Sequence, residues 1–475
     1  MKYETVVGLE VHAELATATK AYCTCANEFG AEPNTLCCPG CLAMPGTLPV
    51  LNKKVVDCGI MVGLATSSDI TAVGRQDRKQ YFYPDLTKGY QITQSDTALC
   101  KNGHVEIDMA GEKKKIRLDR IQIEEDTGKL LHHTGSTLID FNRCGVPLIE
   151  IVSEPDLRSG EEARVYLDTL KSILEYTGVC DCKMQEGSLR CDVNVSVRPE
   201  GQKEFGTRVE MKNVSSFRAA QRVVEYESKR QIDVLESGGT LTSETRGWDD
   251  EKGETFTMRN KEEAKDYRYF PEPNVPTIIV DEAWIEEVRA AMPELPSQRI
   301  ERYTKQHNLS DYDAGQITNS KDLADFFDKC VAAGALPKQA SNWILSDISR
   351  ILNEKELPPS DIPFSSEDMV KFIAIIENGT ISNTAGKKVV EAMFENQRDP
   401  LEIANSLGLI QISDESELIK AAIEVIDANP QSIADYKAGK DRALGFLVGQ
   451  TMRATKGKGN PQMLNSIIRD ELEKR

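Results

Sequence analysis

The sequence predicts an α+β protein, with a mixed or antiparallel sheet domain first and an all-helical part after it. Three observations carry this. Thr5 to Leu15 alternates strictly, Leu189 to Val197 alternates as cleanly, and beyond Met292-Pro293-Glu294-Leu295-Pro296 the period changes to a helical one. A chain of 475 residues can bury a large core and divides into two to four domains.

In the first strand Val7, Leu9, Val11 and Ala13 share one face, and Val6, Gly8, Glu10, His12 and Glu14 the other. One side of that strand is therefore oily, and the other carries carboxylates and an imidazole. Ile121 with Ile123, the run Val146 to Val152, and Val209 with Met211 add further strands. In the second alternating strand Leu189, Cys191, Val193, Val195 and Val197 stand against Arg190, Asp192, Asn194 and Ser196.

Helices interrupt these strands. Ser159 followed by Glu162 reads as a capping box, Ala163, Tyr166, Leu167, Leu170, Ile173 and Leu174 recur at helical spacing, and Gly178 supplies the stop. A second helix is expected from Phe217 to Leu235, ending near Gly238-Gly239. Past the linker, helices are expected over Leu323 to Cys330, Met369 to Glu377, Ala385 to Phe394 and Glu417 to Ile426. Trp343 and Met452 read as core packing. A short basic, glycine-broken stretch from Arg453 to Pro461 precedes a final amphipathic helix.

Composition excludes more than it assigns. No apolar run approaches the ~20 residues of a membrane span, and Met1-Lys2-Tyr3-Glu4 leads straight into strand pattern, so a soluble, cytoplasmic chain is expected. A net charge of −18 argues against an indiscriminate nucleic-acid coat but leaves room for a local basic patch. There is no G-x-x-x-x-G-K-[ST] loop, no G-x-G-x-x-G fingerprint and no glycine- and serine-rich amidase nucleophile context. Any nucleotide site must be built by another route.

Five of the 12 cysteines lie between Cys23 and Cys41. The pairs Cys23/Cys25 and Cys38/Cys41, separated by twelve residues, suit tetrahedral Zn²⁺. Four thiolates leave no open position, so such a zinc is structural. Cys37 is a spare that blurs the assignment, although spacing to Cys41 favours Cys38. The remaining cysteines read as scattered buried thiols.

A second, dispersed set is Glu10 and His12, then Glu124-Glu125-Asp126, then Glu150. Each sits in or at the end of an apolar strand, where a carboxylate is costly without a partner. The set suits Mg²⁺ or Mn²⁺ bridging to phosphates, or else ion pairs with Arg117, Arg120 and Arg143. A third set, Arg190, Asp192, Asn194, Arg208, Glu210 and Lys212, could hold phosphate and metal or form cross-strand salt bridges.

Longer stretches carry a resemblance. They include Val7-Gly8-Leu9-Glu10-Val11-His12, Pro45-Gly46-Thr47-Leu48-Pro49-Val50-Leu51-Asn52, and Asp77-Arg78-Lys79-Gln80-Tyr81-Phe82-Tyr83-Pro84-Asp85. Others are Glu124-Glu125-Asp126-Thr127-Gly128-Lys129, Leu148 to Asp156, Glu186 to Asp192, Asp266 to Pro273 and, in the tail, Gly445 to Gln450. Together they resemble the B subunits of the aspartyl/glutamyl-tRNA amidotransferases over nearly the whole chain.

The resemblance implies a cradle-shaped catalytic domain over 1–293, a helical domain over 294–405 and a small helical tail domain over 406–475. It implies use of ATP and Mg²⁺ to phosphorylate the side-chain carboxylate of Glu misacylated on tRNA-Gln, or Asp on tRNA-Asn. Phosphate is then displaced by ammonia that an amidase-type A subunit supplies, in a complex held together by a small C subunit. Carried over by position, His12, Glu125 and Glu150 become the leading Mg²⁺ ligands, with Glu10 and Glu124 close by. Lys79, Tyr81, Arg190, Asp192 and Lys212 become candidates for phosphate or substrate contacts, Lys79 and Arg190 toward ATP. Cys23, Cys25, Cys38 and Cys41 match a zinc-bearing branch, and Arg453, Lys456 and Lys458 resemble a tRNA-backbone contact. The rival expectation is a non-catalytic tRNA-binding scaffold with a zinc knuckle, which would consume no ATP.

Overall fold

The alternating segment near the amino terminus is a strand, Tyr3–Glu14, in the middle of a ten-stranded sheet. The structure, a computed structural model, describes residues 2–260, 266–396, 398–411, 415–437, 440, 442–455 and 459–475. The chain separates into two compact units, Met1–Pro296 and Ser297–Arg475.

Tyr3–Glu14 pairs antiparallel with Leu189–Pro199 on one side and Pro147–Ser153 on the other. Outward from the former come Val209–Lys212, Glu244–Asp249 and Glu254–Asn260. Outward from the latter come Glu112–Glu125, Cys100–Lys101 and Asp69–Ile70, with His104–Met109 also paired to Glu112–Glu125. Among the described residues, only the pairing of Val209–Lys212 with Glu244–Asp249 is parallel. The expected mixed sheet is thus present, and all the strands the sequence predicts belong to it.

Register divides the sheet into two chemical faces. His12 lies opposite Glu150 and Arg190, Glu10 opposite Asp192, and Glu150 opposite Gln122. Directly opposed residues share a face, so the polar alternates of four strands line up. The other face presents Leu9, Val11, Ile121, Ile123, Ile149, Ile151, Val193 and Val195, all buried. Onto it pack the helices Lys53–Ala65, Gly160–Thr177 and Phe217–Glu236, through residues such as Val56, Ile60, Tyr166, Leu170, Ala220 and Val224. Each fully buried aliphatic side chain there contributes about 1.5–3 kcal/mol. That core is what makes the polar face a rigid platform.

The helix ends follow the expected chemistry with one difference. The Ser159 hydroxyl accepts from Glu162 N, but the Glu162 carboxylate accepts from Arg158 N and Lys114 Nζ, both at 2.7 Å, so the capping box is not reciprocal. Gly178 closes the helix at φ +69°, a conformation other residues reach only with strain. Ser216 caps Phe217–Glu236.

In the second unit, helices Lys321–Ala332, Ser366–Glu377, Asn383–Glu395 and Glu415–Asp427 cover the four expected segments. Trp343 is buried, edge-on to Phe372 at 4.8 Å, and Met452 packs on a separate core that includes Leu418, Ile426, Leu447, Leu464 and Ile468. No helix among the described residues is long and apolar enough to cross a membrane.

Candidate active site

The polar face gathers its donors near the centre of the sheet. His12 Nε2 stands 3.7 Å from Glu150 Oε2 and 3.9 Å from Glu10 Oε1. Donor atoms of all three residues lie within 4.8 Å of one another. Burial and the Glu150 charge push the Glu10 carboxyl up to about 7. Burial pulls His12 down, but the carboxylates of Glu150, Glu124 and Glu10 outweigh it and hold the imidazole above its ordinary range. Burial likewise disfavours the Glu150 carboxylate, but His12, Lys79 and Arg120 outweigh it and lower its pKa. Two crowded carboxylates and an imidazole are a donor set for a hard divalent cation, which would offset both the burial and the Glu150 repulsion that raise Glu10.

Glu124 stands beside this cluster. Gln122 Nε2 bridges it to Glu150, at 3.0 Å from Glu124 Oε1 and 3.1 Å from Glu150 Oε2. Thr93 Oγ1 donates to Glu124 at 2.6 Å and Gln91 Nε2 at 3.2 Å. Lys79, on the strand Asp77–Gln80, is paired in register with Gln91. Burial lowers the Lys79 pKa, but Glu124, Tyr269, Glu150 and Tyr267 outweigh it and keep the ammonium. Its Nζ sits 5.1 Å from the Tyr267 ring. Tyr81 lies one residue past that strand, its ring 6.0 Å from Tyr83. A bidentate pair from Arg78 to the buried Glu272, at 2.5 and 3.0 Å, ties the segment around Tyr267 to the same strand.

Arg190, Asp192 and Lys212 lie on the same face. The Arg190 guanidinium is engaged by Asp126, which also faces Arg143 at 3.6 Å. Lys212 Nζ meets Asp192 at 2.5 Å and Glu210 at 3.1 Å. Burial lowers the Lys212 pKa, but Asp192 and Glu210 outweigh it and raise it. Of these, Lys212–Asp192 is a cross-strand ion pair of the kind the sequence offered as one of two readings, whereas Arg190 reaches Asp126, just past the end of the strand Glu112–Glu125.

Glu125 goes elsewhere. It shares the parity of Ile121 and Ile123, and its carboxylate is held at 2.7 Å by Lys88 Nζ and at 2.9 Å by Ile92 N. The structure therefore groups His12 and Glu150 with Glu10 and Glu124, not with Glu125. The alternation itself carried that signal, since Ile121 and Ile123 place Glu125 with the core and Glu124 with Gln122. Sequence reasoning missed Gln122, Thr93 and Lys88, whose roles depend on register between distant strands.

A cavity of about 220 Å³, lined in part by Tyr22, Cys41, Lys88, Glu125 and Gly145, separates the Glu125–Lys88 pair from the cysteine cluster. There the sulfurs of Cys23, Cys25 and Cys38 stand 3.3, 3.6 and 3.8 Å from Cys41 Sγ. All four ligand atoms fall within 4.8 Å of one another. Cys37 instead turns its thiol to Asn34 O at 3.3 Å, so Cys38 is the fourth member. Gly40 lies in the turn between Cys38 and Cys41, close to the Cys38 sulfur. A hydrogen bond from Cys23 holds the Cys41 thiol down to about 4, against the effect of burial. Four converging sulfurs fit a thiophilic divalent ion. The other seven cysteines are buried, as expected.

At the tail, Arg453 is exposed at the end of the helix Arg442–Ala454. Lys456 and Lys458 lie outside the described residues.

Residues 5–286 match the family described as the GatB/GatE catalytic domain, and residues 325–472 match the family described as the GatB domain. The B subunit of the aspartyl/glutamyl-tRNA(Asn/Gln) amidotransferase from Caldicellulosiruptor saccharolyticus is 58% identical over 479 residues, covering 100% of both chains. The B subunits of the same name from Thermoanaerobacter pseudethanolicus and Clostridium acetobutylicum (the latter numbered 1) are 55% and 53% identical over 475 residues, again covering 100% of both chains. With these matches over the whole length of the sequence, the chain belongs to the GatB family of aspartyl/glutamyl-tRNA amidotransferase B subunits.

Proposed function

We propose that this chain is the ATP-using member of a tRNA-dependent amidotransferase complex. It activates the side-chain carboxylate of Glu on tRNA-Gln, Asp on tRNA-Asn, or both, for conversion to the amide. The observation that carries this is the half-buried Glu10–His12–Glu150 cluster on the polar face of a sheet whose other face is packed by buried apolar residues.

The chemistry accounts for the residue types. A carboxylate is a poor acyl donor until it gains a leaving group, and phosphoryl transfer asks of a protein mainly position and charge neutralisation. Bound Mg²⁺ and ATP would supply the neutralising charge and the phosphoryl group. Glu10, His12 and Glu150 would hold the cation, and Gln122 keeps Glu124 aligned beside them. Lys79, near Glu124 and Glu150, would meet phosphate oxygens. Arg190 and Lys212 can do so by exchanging Asp126 and Asp192 for a phosphate, with Asp192 and Tyr81 toward the substrate. The cysteine tetrad would hold a structural Zn²⁺.

Ammonia would come from an amidase-type A subunit in the cytoplasm, with a small C subunit holding it to this chain. The domain division would be 1–293, 294–405 and 406–475. The separate core around Leu418 and Leu464 supports the last boundary. Arg453, Lys456 and Lys458 would meet the tRNA backbone, with binding that weakens as salt rises.

The test is phosphate release by the complex with its A and C partners, with and without misacylated Glu-tRNA-Gln. Release that depends on the acylated tRNA and collapses in Glu150→Gln is the expected result. Release indifferent to acylated tRNA would make the chain a scaffold instead.

A further inference from the structure

Lys20 is among the largest fully buried side chains, at 0% exposure. Its ammonium donates to Cys144 O at 2.8 Å and to Cys41 Sγ at 3.7 Å, and it forms no ion pair with a carboxylate among the described residues. A lysine in that position has given up its hydration without a carboxylate to replace it, which is strongly unfavourable unless some other negative charge is close. Of its two acceptors, only the sulfur can carry that charge.

A dication bound by four thiolates keeps a net charge of about −2, itself costly away from water. The buried ammonium and the buried anionic centre answer each other. We infer that Lys20 is the internal counter-cation of a zinc–tetrathiolate centre, placed by the fold to stabilise the loaded site against its own negative charge.

The backbone is arranged to keep it there. Lys20 N donates to Cys25 O at 3.0 Å, and Ala21 N donates to Gly145 O at 2.9 Å. The stem is thereby pinned between the first cysteine pair and the loop that carries Cys144. Gly145 beside it takes φ +78°, a backbone conformation that other residues reach only with strain, and so fixes the course of that loop. The sulfur hydrogen bond also draws electron density from Cys41, which suits a thiolate meant to stay bound rather than react.

This inference rests on the reading of the tetrad as a zinc centre, and the experiment separates the two. Full-length wild type and Lys20→Met are titrated with zinc against a chromophoric chelator, and both are melted with and without zinc. The expected result is zinc affinity lowered roughly 10–100-fold in Lys20→Met, with the zinc-stripped variant melting at or above zinc-stripped wild type. A lysine that merely fills space would lower both melting points alike and leave affinity unchanged, and that result overturns the inference. Lys20→Met that fails to fold in either metal state assigns the residue to packing and overturns it too. Wild type that binds no zinc removes the centre itself, and the inference with it.

Discussion

The cysteine tetrad and the Glu10–His12–Glu150 cluster are both candidate cation sites, yet they are assembled by opposite routes. The tetrad draws its four sulfurs from one short segment, Cys23 to Cys41, folded on itself by the Pro39-Gly40 turn. The cluster draws its donors from two strands far apart in sequence and is aligned only by their register. A local site depends on its own loop and on whatever neutralises it. A site built on a sheet inherits its precision from the packed face behind it, from Leu9 and Val11 to Ile149 and Ile151.

That contrast can be broken first at the tetrad. Cys41→Ser removes the sulfur that the other three approach, and zinc content per chain should fall to none. Structural zinc binding is worth about 10–16 kcal/mol in small domains, so the segment around residues 15–52 should become sensitive to protease while the sheet persists. Glu125→Gln comes next. It leaves Lys88, which pairs with it at 2.7 Å in a largely buried setting, without its charge partner. The expected cost is about 3–5 kcal/mol, read as a lower urea midpoint.

Glu150→Gln should lower stability less than this, because losing the attraction of His12, Lys79 and Arg120 is partly offset by relief of the crowding with Glu10. Its effect should fall on the reaction, with tRNA-dependent phosphate release slowed about 10²–10³-fold. The smallest effect belongs to Cys37→Ser. Its thiol faces Asn34 O, away from the sulfur cluster, so zinc content should be unchanged and stability within about 0.5 kcal/mol of wild type. A large effect there would move the fourth ligand from Cys38 to Cys37.

Legibility followed the same divide. The cysteine spacing pointed to sulfurs that converge because they lie in one stretch of chain, and the choice between Cys37 and Cys38 followed only from the fold. The strands Tyr3–Glu14 and Leu189–Pro199 were readable from alternation, as were the helices that begin at Ser159 and Ser216. Alternation also showed that Glu10 and His12 share a face. It could not show that Glu150 is opposite His12 or that Gln122 bridges Glu124 to Glu150, because register is fixed by pairing between distant segments. Lys20 was invisible for a related reason. A lysine reads as surface, and its burial follows from contacts with the distant Cys144 loop and with Cys41.

The central claim is that the divalent cation belongs to the polar sheet face through Glu150 and its neighbours, and that Glu125 serves a different pocket. The direct measurement is Mn²⁺ binding, followed by electron paramagnetic resonance, to wild type, Glu150→Gln and Glu125→Gln, each checked for folding by its melting curve. The account predicts a site present in wild type, lost in Glu150→Gln and retained in folded Glu125→Gln. Retention in Glu150→Gln with loss in Glu125→Gln would contradict it and move the cation to the Glu125–Lys88 side.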